Sequence, residues 1–126
     1  MKTIKQTYKI NAPAKKVWQA LIDHKEIDYW GAGPATMDDK VGTEFSLWNG
    51  DIHGKNIEVV DGKKLVQEWF GGDWDEPSIA TFTLSEKDGR TTIELHQTNV
   101  PDSDFDDIAD GWKQYYLGPI KEYLEH

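Results

Sequence analysis

Four histidines, His24, His53, His96 and His126, are the side chains of this 126-residue chain best matched to proton transfer or metal binding near neutral pH. No two of them have the i, i+4 or His-Glu-x-x-His spacing that sets two nitrogens around one ion, so the pattern points to no metal site and no metal cofactor. His96 is opposite in parity to Ile93 and Leu95 on a probable strand, which reads as a surface histidine, and His53 reads the same way. Ser46, Ser78, Ser85 and Ser103 lack a Gly-x-Ser-x-Gly elbow and an activating base, so no nucleophilic triad emerges. The remaining candidates are Glu58 and Glu68, each on a strand beside apolar residues. A carboxylate forced into such surroundings has a raised pKa and can act as general acid or base. Glu68 alternates with Trp69, however, so only one of the two faces inward, and the expectation for Glu68 is solvent. With no cysteine in the chain, thiolate chemistry and Cys-ligated metals are excluded.

Gly31-Ala32-Gly33-Pro34 and Gly71-Gly72 lack the Lys-Ser/Thr continuation of a phosphate loop and read as turn glycines. The six tryptophans are more distinctive. An indole buries a large apolar area and needs a partner for its N–H, so it suits a small core only where that N–H reaches a polar group or a pocket. Trp30, Trp69 and Trp112 fall on a loop, the sheet and a helix that would converge, and both core packing and ligand lining remain open for them. Trp48, Phe70 and Trp74 lie in turn-rich segments at strand ends, where a rim or partner surface fits.

At 37% hydrophobic and 12% aromatic, the chain has apolar mass for one core, and its length implies one domain spanning 1–126. The formal charge of −9 opposes approach to nucleic acid or an anionic membrane. No apolar run is long enough for a membrane span, and Met1-Lys2-Thr3-Ile4-Lys5 lacks a secretory h-region, so the expectation is a soluble cytoplasmic protein. Asp102, Asp104, Asp106, Asp107 and Asp110 read as a solvated acidic helix entrance, with a basic-partner docking site as the sharper alternative.

The elements that position these residues begin with a strand in which Ile4, Gln6, Tyr8 and Ile10 alternate with Thr3, Lys5, Thr7 and Lys9. Asn11-Ala12-Pro13-Ala14 breaks it and starts a helix at about 13–22, with Pro13 in the first turn, followed by a short helical turn from His24 to Tyr29. Strands are expected at about 43–48, 52–60, 63–70, 78–85 and 90–98, with Asp61-Gly62 and Asp88-Gly89 as hairpin turns. A long helix follows Pro101, its stripe carried by Ile108, Trp112, Tyr115, Tyr116, Leu117, Ile120, Tyr123 and Leu124. Pro119 predicts a kink or break near Tyr115 to Gly118. The terminal Leu124-Glu125-His126 matches the start of a cloning scar and His-tag, and these residues carry no functional weight.

This order implies an α+β domain: an antiparallel sheet whose apolar face is covered by the final helix. Parity assigns Phe45 and Leu47, Leu65 and Trp69, Ala80, Phe82 and Leu84, and Ile93 and Leu95 to that face. The runs Pro13-Ala14-Lys15-Lys16-Val17-Trp18-Gln19-Ala20-Leu21, Tyr29-Trp30, Val66-Gln67-Glu68-Trp69, Thr91-Thr92-Ile93-Glu94-Leu95 and Gly111-Trp112 resemble the START-related helix-grip superfamily. Within it the chain is most similar, over essentially its whole length, to proteins like the activator of heat-shock-protein-90 ATPase. The resemblance implies a curved antiparallel sheet wrapped around a long C-terminal helix, with one or two short helices after the first strand. Many members have a deep hydrophobic pocket between sheet and helix, and they divide among lipid or hormone binding, polyketide cyclisation and chaperone regulation.

The first expectation is therefore a non-enzymatic small-molecule-binding domain. It would hold an apolar or aromatic ligand in a cavity lined by Trp30, Phe45, Trp69, Phe82, Trp112 and Tyr116. The alternatives are a chaperone-regulating interaction module, or a cyclase-like enzyme needing a pocket-facing acid or base such as Glu68 or His96.

Overall fold

A computed structural model describes residues 1–72 and 74–125. Its element order is β1 (Lys2–Ile10), α1 (Ala14–Ile22), α2 (His24–Trp30), β2 (Glu44–Leu47), β3 (Ile52–Val60), β4 (Lys64–Gly71), β5 (Ser78–Lys87), β6 (Arg90–Val100), α3 (Phe105–Gly111) and α4 (Leu117–Glu125). The six strands form one sheet in the order β1-β6-β5-β4-β3-β2, antiparallel throughout. Consecutive hairpins account for five of them, and β1 closes the other edge against β6. The α+β helix-grip architecture is thus the observed one, with α1 and α2 after the first strand and the C-terminal helical segments covering the apolar face.

Local chemistry explains most boundaries. The β5–β6 reversal puts Asp88 and Gly89 both at positive φ (55° and 77°), the geometry a two-residue hairpin requires. Asp23 ends α1 and caps α2 by accepting the Lys25 N–H at 2.9 Å. The start of α1 differs from expectation. Pro13 sits at the N-cap in an extended conformation and offers no side-chain cap. A carboxylate from the β5–β6 hairpin supplies the cap, Glu86 Oε1 accepting the Ala14 N–H at 2.6 Å. Sequence reading misses it because the partner lies 72 residues away.

The terminal helix is interrupted where Pro119 predicts. A π-helical turn occupies Trp112–Tyr116 between α3 and α4, with the Leu117 N–H reaching back to Trp112 O. Pro119 has no N–H to return to the preceding turn, and the widened turn accommodates that missing donor. Gly118 makes the packing feasible, since a Cβ there would lie 1.9 Å from the Lys113 carbonyl oxygen.

The helix is tied to β1 and to α2 by polar clamps as well as by its stripe. Gln6 Nε2 donates to Ala109 O at 2.8 Å, Lys121 Nζ donates to Lys9 O at 2.6 Å, and Tyr123 OH donates to Glu26 at 3.1 Å. Leu124 packs on the core, and Glu125 accepts from Lys121 and from the Asn11 N–H, so both belong to the fold; His126 lies outside the described residues. No described helix is long and apolar enough to cross a membrane.

Candidate functional site

Cross-strand register builds the inner floor. Phe45 pairs with Gly54, and Gly54 with Trp69, so these three form one row on the face turned to the helix. Gly54 leaves the gap over which the Phe45 and Trp69 rings meet, their centroids 5.9 Å apart; a Cβ there would lie 1.7 Å from Glu68 O. A neighbouring row runs Asn56–Gln67–Ala80–Gln97 across β3 to β6. Its three amides are fully buried.

Those amides hold the indoles. Gln67 Oε1 accepts the Trp69 indole N–H at 2.8 Å, while Gln67 Nε2 donates to Asn56 Oδ1 at 2.9 Å. Asn56 Nδ2 in turn donates to the carbonyls of Asp38 and Lys40. Gln97 Oε1 accepts the Trp112 indole N–H at 2.7 Å. The sequence reading did not single out the three amides. Parity carried the signal: Gln67 shares a face with Leu65 and Trp69, and Gln97 with Ile93 and Leu95.

All six residues expected to line a cavity converge, and each is at most 7% exposed. They meet one another. Trp69 lies 4.8 Å from Trp112, Trp112 lies 4.9 Å from Tyr116, and Tyr116 stacks on Phe82 at 5.8 Å and meets Trp30 edge-on at 4.9 Å. Trp30 closes α2 and is not a loop residue; its N–H donates to Ala20 O at 2.9 Å. The space left beside this cluster is a small apolar pocket of about 160 Å³ at the mouth between the β2–β3 connection and the π turn. Trp48, Ile52, Trp69, Ile108, Trp112 and Tyr115 border it. Trp48 holds a left-handed backbone (φ 48°), a strained conformation for so bulky a residue, and its ring meets Tyr116 edge-on at 6.4 Å.

Tyr116 OH and Gln97 Nε2 are buried without hydrogen-bond partners. Burial pushes the Tyr116 hydroxyl well above its ordinary pKa, so it stays protonated at physiological pH. Among the described residues no carboxylate or histidine is buried. Glu68 is half-buried on the outer face beside Lys55, Glu58 pairs with Lys64 at 3.1 Å, and His96 is exposed. His53 stacks on Phe70 at 5.5 Å on that same outer face. No group of three or more His, Asp or Glu among the described residues is placed to hold a metal ion.

The family model described as "Activator of Hsp90 ATPase homolog 1-like protein" matches residues 11–125. The chain belongs to this family. Its relatives include an activator of 90 kDa heat shock protein ATPase homolog from Dictyostelium discoideum, 29% identical over 99% of the chain and 33% of the relative. The human homolog 1 is 25% identical over 95% of the chain and 36% of the relative. The chain therefore spans about a third of the length of the curated relatives it matches. Among solved structures, an HSP90 activator from Plasmodium falciparum superposes with a TM-score of 0.89 at 28% identity, over 97% of this chain and 95% of that one. CalU16 of Micromonospora echinospora shares the fold, with a TM-score of 0.85 at 22% identity over 97% of this chain and 73% of that one. In this member of the family, the sheet–helix interior is an aromatic cluster pinned by buried glutamines, with a ring-sized pocket beside Trp69 and Trp112.

Proposed function

We propose that this domain is a protein-interaction module that modulates the ATPase of an Hsp90-type chaperone. The observation that carries this reading is the mutual packing of Trp69, Trp112, Phe82 and Tyr116. Rings that a cavity ligand would need as free faces are engaged with each other. Sites for drug-sized ligands run from about 300 Å³ upward, and the remaining pocket is about 160 Å³. A solid interior suits a rigid body that presents surfaces. The names of the Dictyostelium and Plasmodium relatives supply the partner class. The test is a titration of this domain into a purified Hsp90-family chaperone, reading ATP turnover and complex formation by sedimentation. The expected outcome is saturable binding with a changed turnover rate. A flat rate together with no complex at high micromolar concentration would remove the reading.

A second reading rests on the pocket itself. A dry apolar cavity of about 150 Å³ is enough to bind a single benzene-sized ring, so a small apolar or aromatic ligand fits at the mouth beside Trp48 and Trp112. Saturable change in tryptophan emission on adding indole or benzene, weakened when Gly111→Ala narrows the rim, supports it. No change across both probes discards it. A cyclase-like reaction at Glu68 or His96 has no support from the geometry, since both face away from the aromatic interior.

A further inference from the structure

Tyr29 is the most exposed large apolar side chain of the described residues, 78% open to solvent at the end of α2. It is not isolated. Its ring meets Tyr123 of α4 at 5.2 Å, tilted by 45°. Together with Trp30, Pro119 and Glu122 these rings line an open groove of about 400 Å³ on the outer side of the terminal helix. It is separate from the ring-sized pocket beside Trp48 and Trp112.

The one charged side chain lining this groove is a carboxylate. Glu122 lines it, and Glu26 accepts the Tyr123 hydroxyl at 3.1 Å. Neither carboxylate forms an ion pair with a lysine, arginine or histidine among the described residues. Lys121, the cation next along α4, is turned to Glu125 and the Lys9 carbonyl. Desolvation first, then the hydrogen bond and negative charge of Glu26, with smaller contributions from Tyr29 and Asp23, push the Tyr123 hydroxyl above its ordinary range.

An open tyrosine face beside uncompensated carboxylates has a defined chemical complement. A cation over the ring is attracted by its quadrupole, and a guanidinium can stack on the ring while donating two N–H groups to a carboxylate. A purely apolar occupant would bury Glu122 without a partner. We propose that the Tyr29–Tyr123 groove is a docking surface for an arginine side chain on a basic segment of a partner protein. The guanidinium lies on the Tyr29 face and pairs with Glu122, and Trp30 and Pro119 receive the aliphatic stem. The inference is independent of whether that partner is a chaperone.

The test uses the whole domain, ¹⁵N-labelled, titrated to about 100 mM with Nα-acetyl-argininamide and, separately, with the citrulline analogue, which replaces the guanidinium by a neutral urea of nearly equal shape. The expected result is saturable shifts at Tyr29, the Trp30 indole N–H, Glu122 and Tyr123, with citrulline binding weaker by about threefold or more. Tyr29→Leu keeps apolar bulk without the ring quadrupole, and Glu122→Gln removes the charge; each should weaken the arginine probe severalfold while the remaining amide spectrum stays in place. Equal binding of the two probes, shifts confined to the Asp102–Asp110 run, or no localised shift at all would each overturn the proposal.

Discussion

Trp112 donates its indole N–H to Gln97 at 2.7 Å, a hydrogen bond between the gripped helix and the floor strand β6 with both side chains buried. Removing the acceptor strands the donor in an apolar site, and a buried unsatisfied group costs about 1–3 kcal/mol. Gln97→Leu is therefore expected to lower the unfolding free energy by that amount, read as a lower urea midpoint at an unchanged denaturant slope. Trp112→Phe removes the donor instead. The double variant should be less destabilised than the sum of the two singles, with a coupling of about 1 kcal/mol measured by the cycle. Additive effects would show that the contact contributes nothing specific.

The same pair shows where sequence reading stops. Strand alternation and the Asp-Gly turns specify the sheet, and the parity of Phe45, Trp69, Phe82 and Leu95 places the core on the correct face. The six aromatic candidates converge because each is the inward member of its element. What stayed hidden depends on contacts between distant segments. Parity turns Gln67 and Gln97 inward, but only register shows that Asn56 and Ala80 align with them in one row. Glu86 as the cap of α1 likewise arises from a partner that no local window contains.

Gly111 and Gly118 flank the π turn and should respond in opposite directions to the same change. At Gly111 a new methyl meets only Tyr115 Cδ2 at 3.9 Å and the backbone is helical, so Gly111→Ala is expected to stabilise by about 0.5–1 kcal/mol through helix propensity. At Gly118 the methyl would lie 1.9 Å from a backbone oxygen that cannot rotate away. Gly118→Ala is expected to lose about 2 kcal/mol or more, within the range of overpacking. Thermal melts of the two variants check both signs.

Glu86 links the β5–β6 hairpin to the start of α1 through the Ala14 N–H at 2.6 Å. A carboxylate at a helix N-terminus satisfies a free donor and complements the macrodipole. Glu86→Ala should cost about 1 kcal/mol, as loss of an N-cap does. Hydrogen exchange of the first α1 amides should accelerate more than that of β6. Uniform acceleration would mean that the residue acts on global stability alone.

Tyr116 carries a buried hydroxyl without a partner, and burial raises its pKa above the ordinary value of 10.0. The unfolded chain gives up this proton as pH passes about 10, whereas the folded protein holds it. The contribution is fully present below that pH and disappears as pH rises toward the folded value. Tyr116→Phe ionises in neither state, so its stability should fall less steeply above pH 10 than that of the parent. At pH 7 the substitution removes an unsatisfied polar atom and keeps the rings against Phe82, Trp112 and Trp30. The expected change there is a gain of about 1 kcal/mol. Urea unfolding at pH 7 and at several values above pH 10 measures both effects. A Phe variant that is less stable at pH 7 and parallel to the parent in alkali would show that the hydroxyl is satisfied in the folded protein.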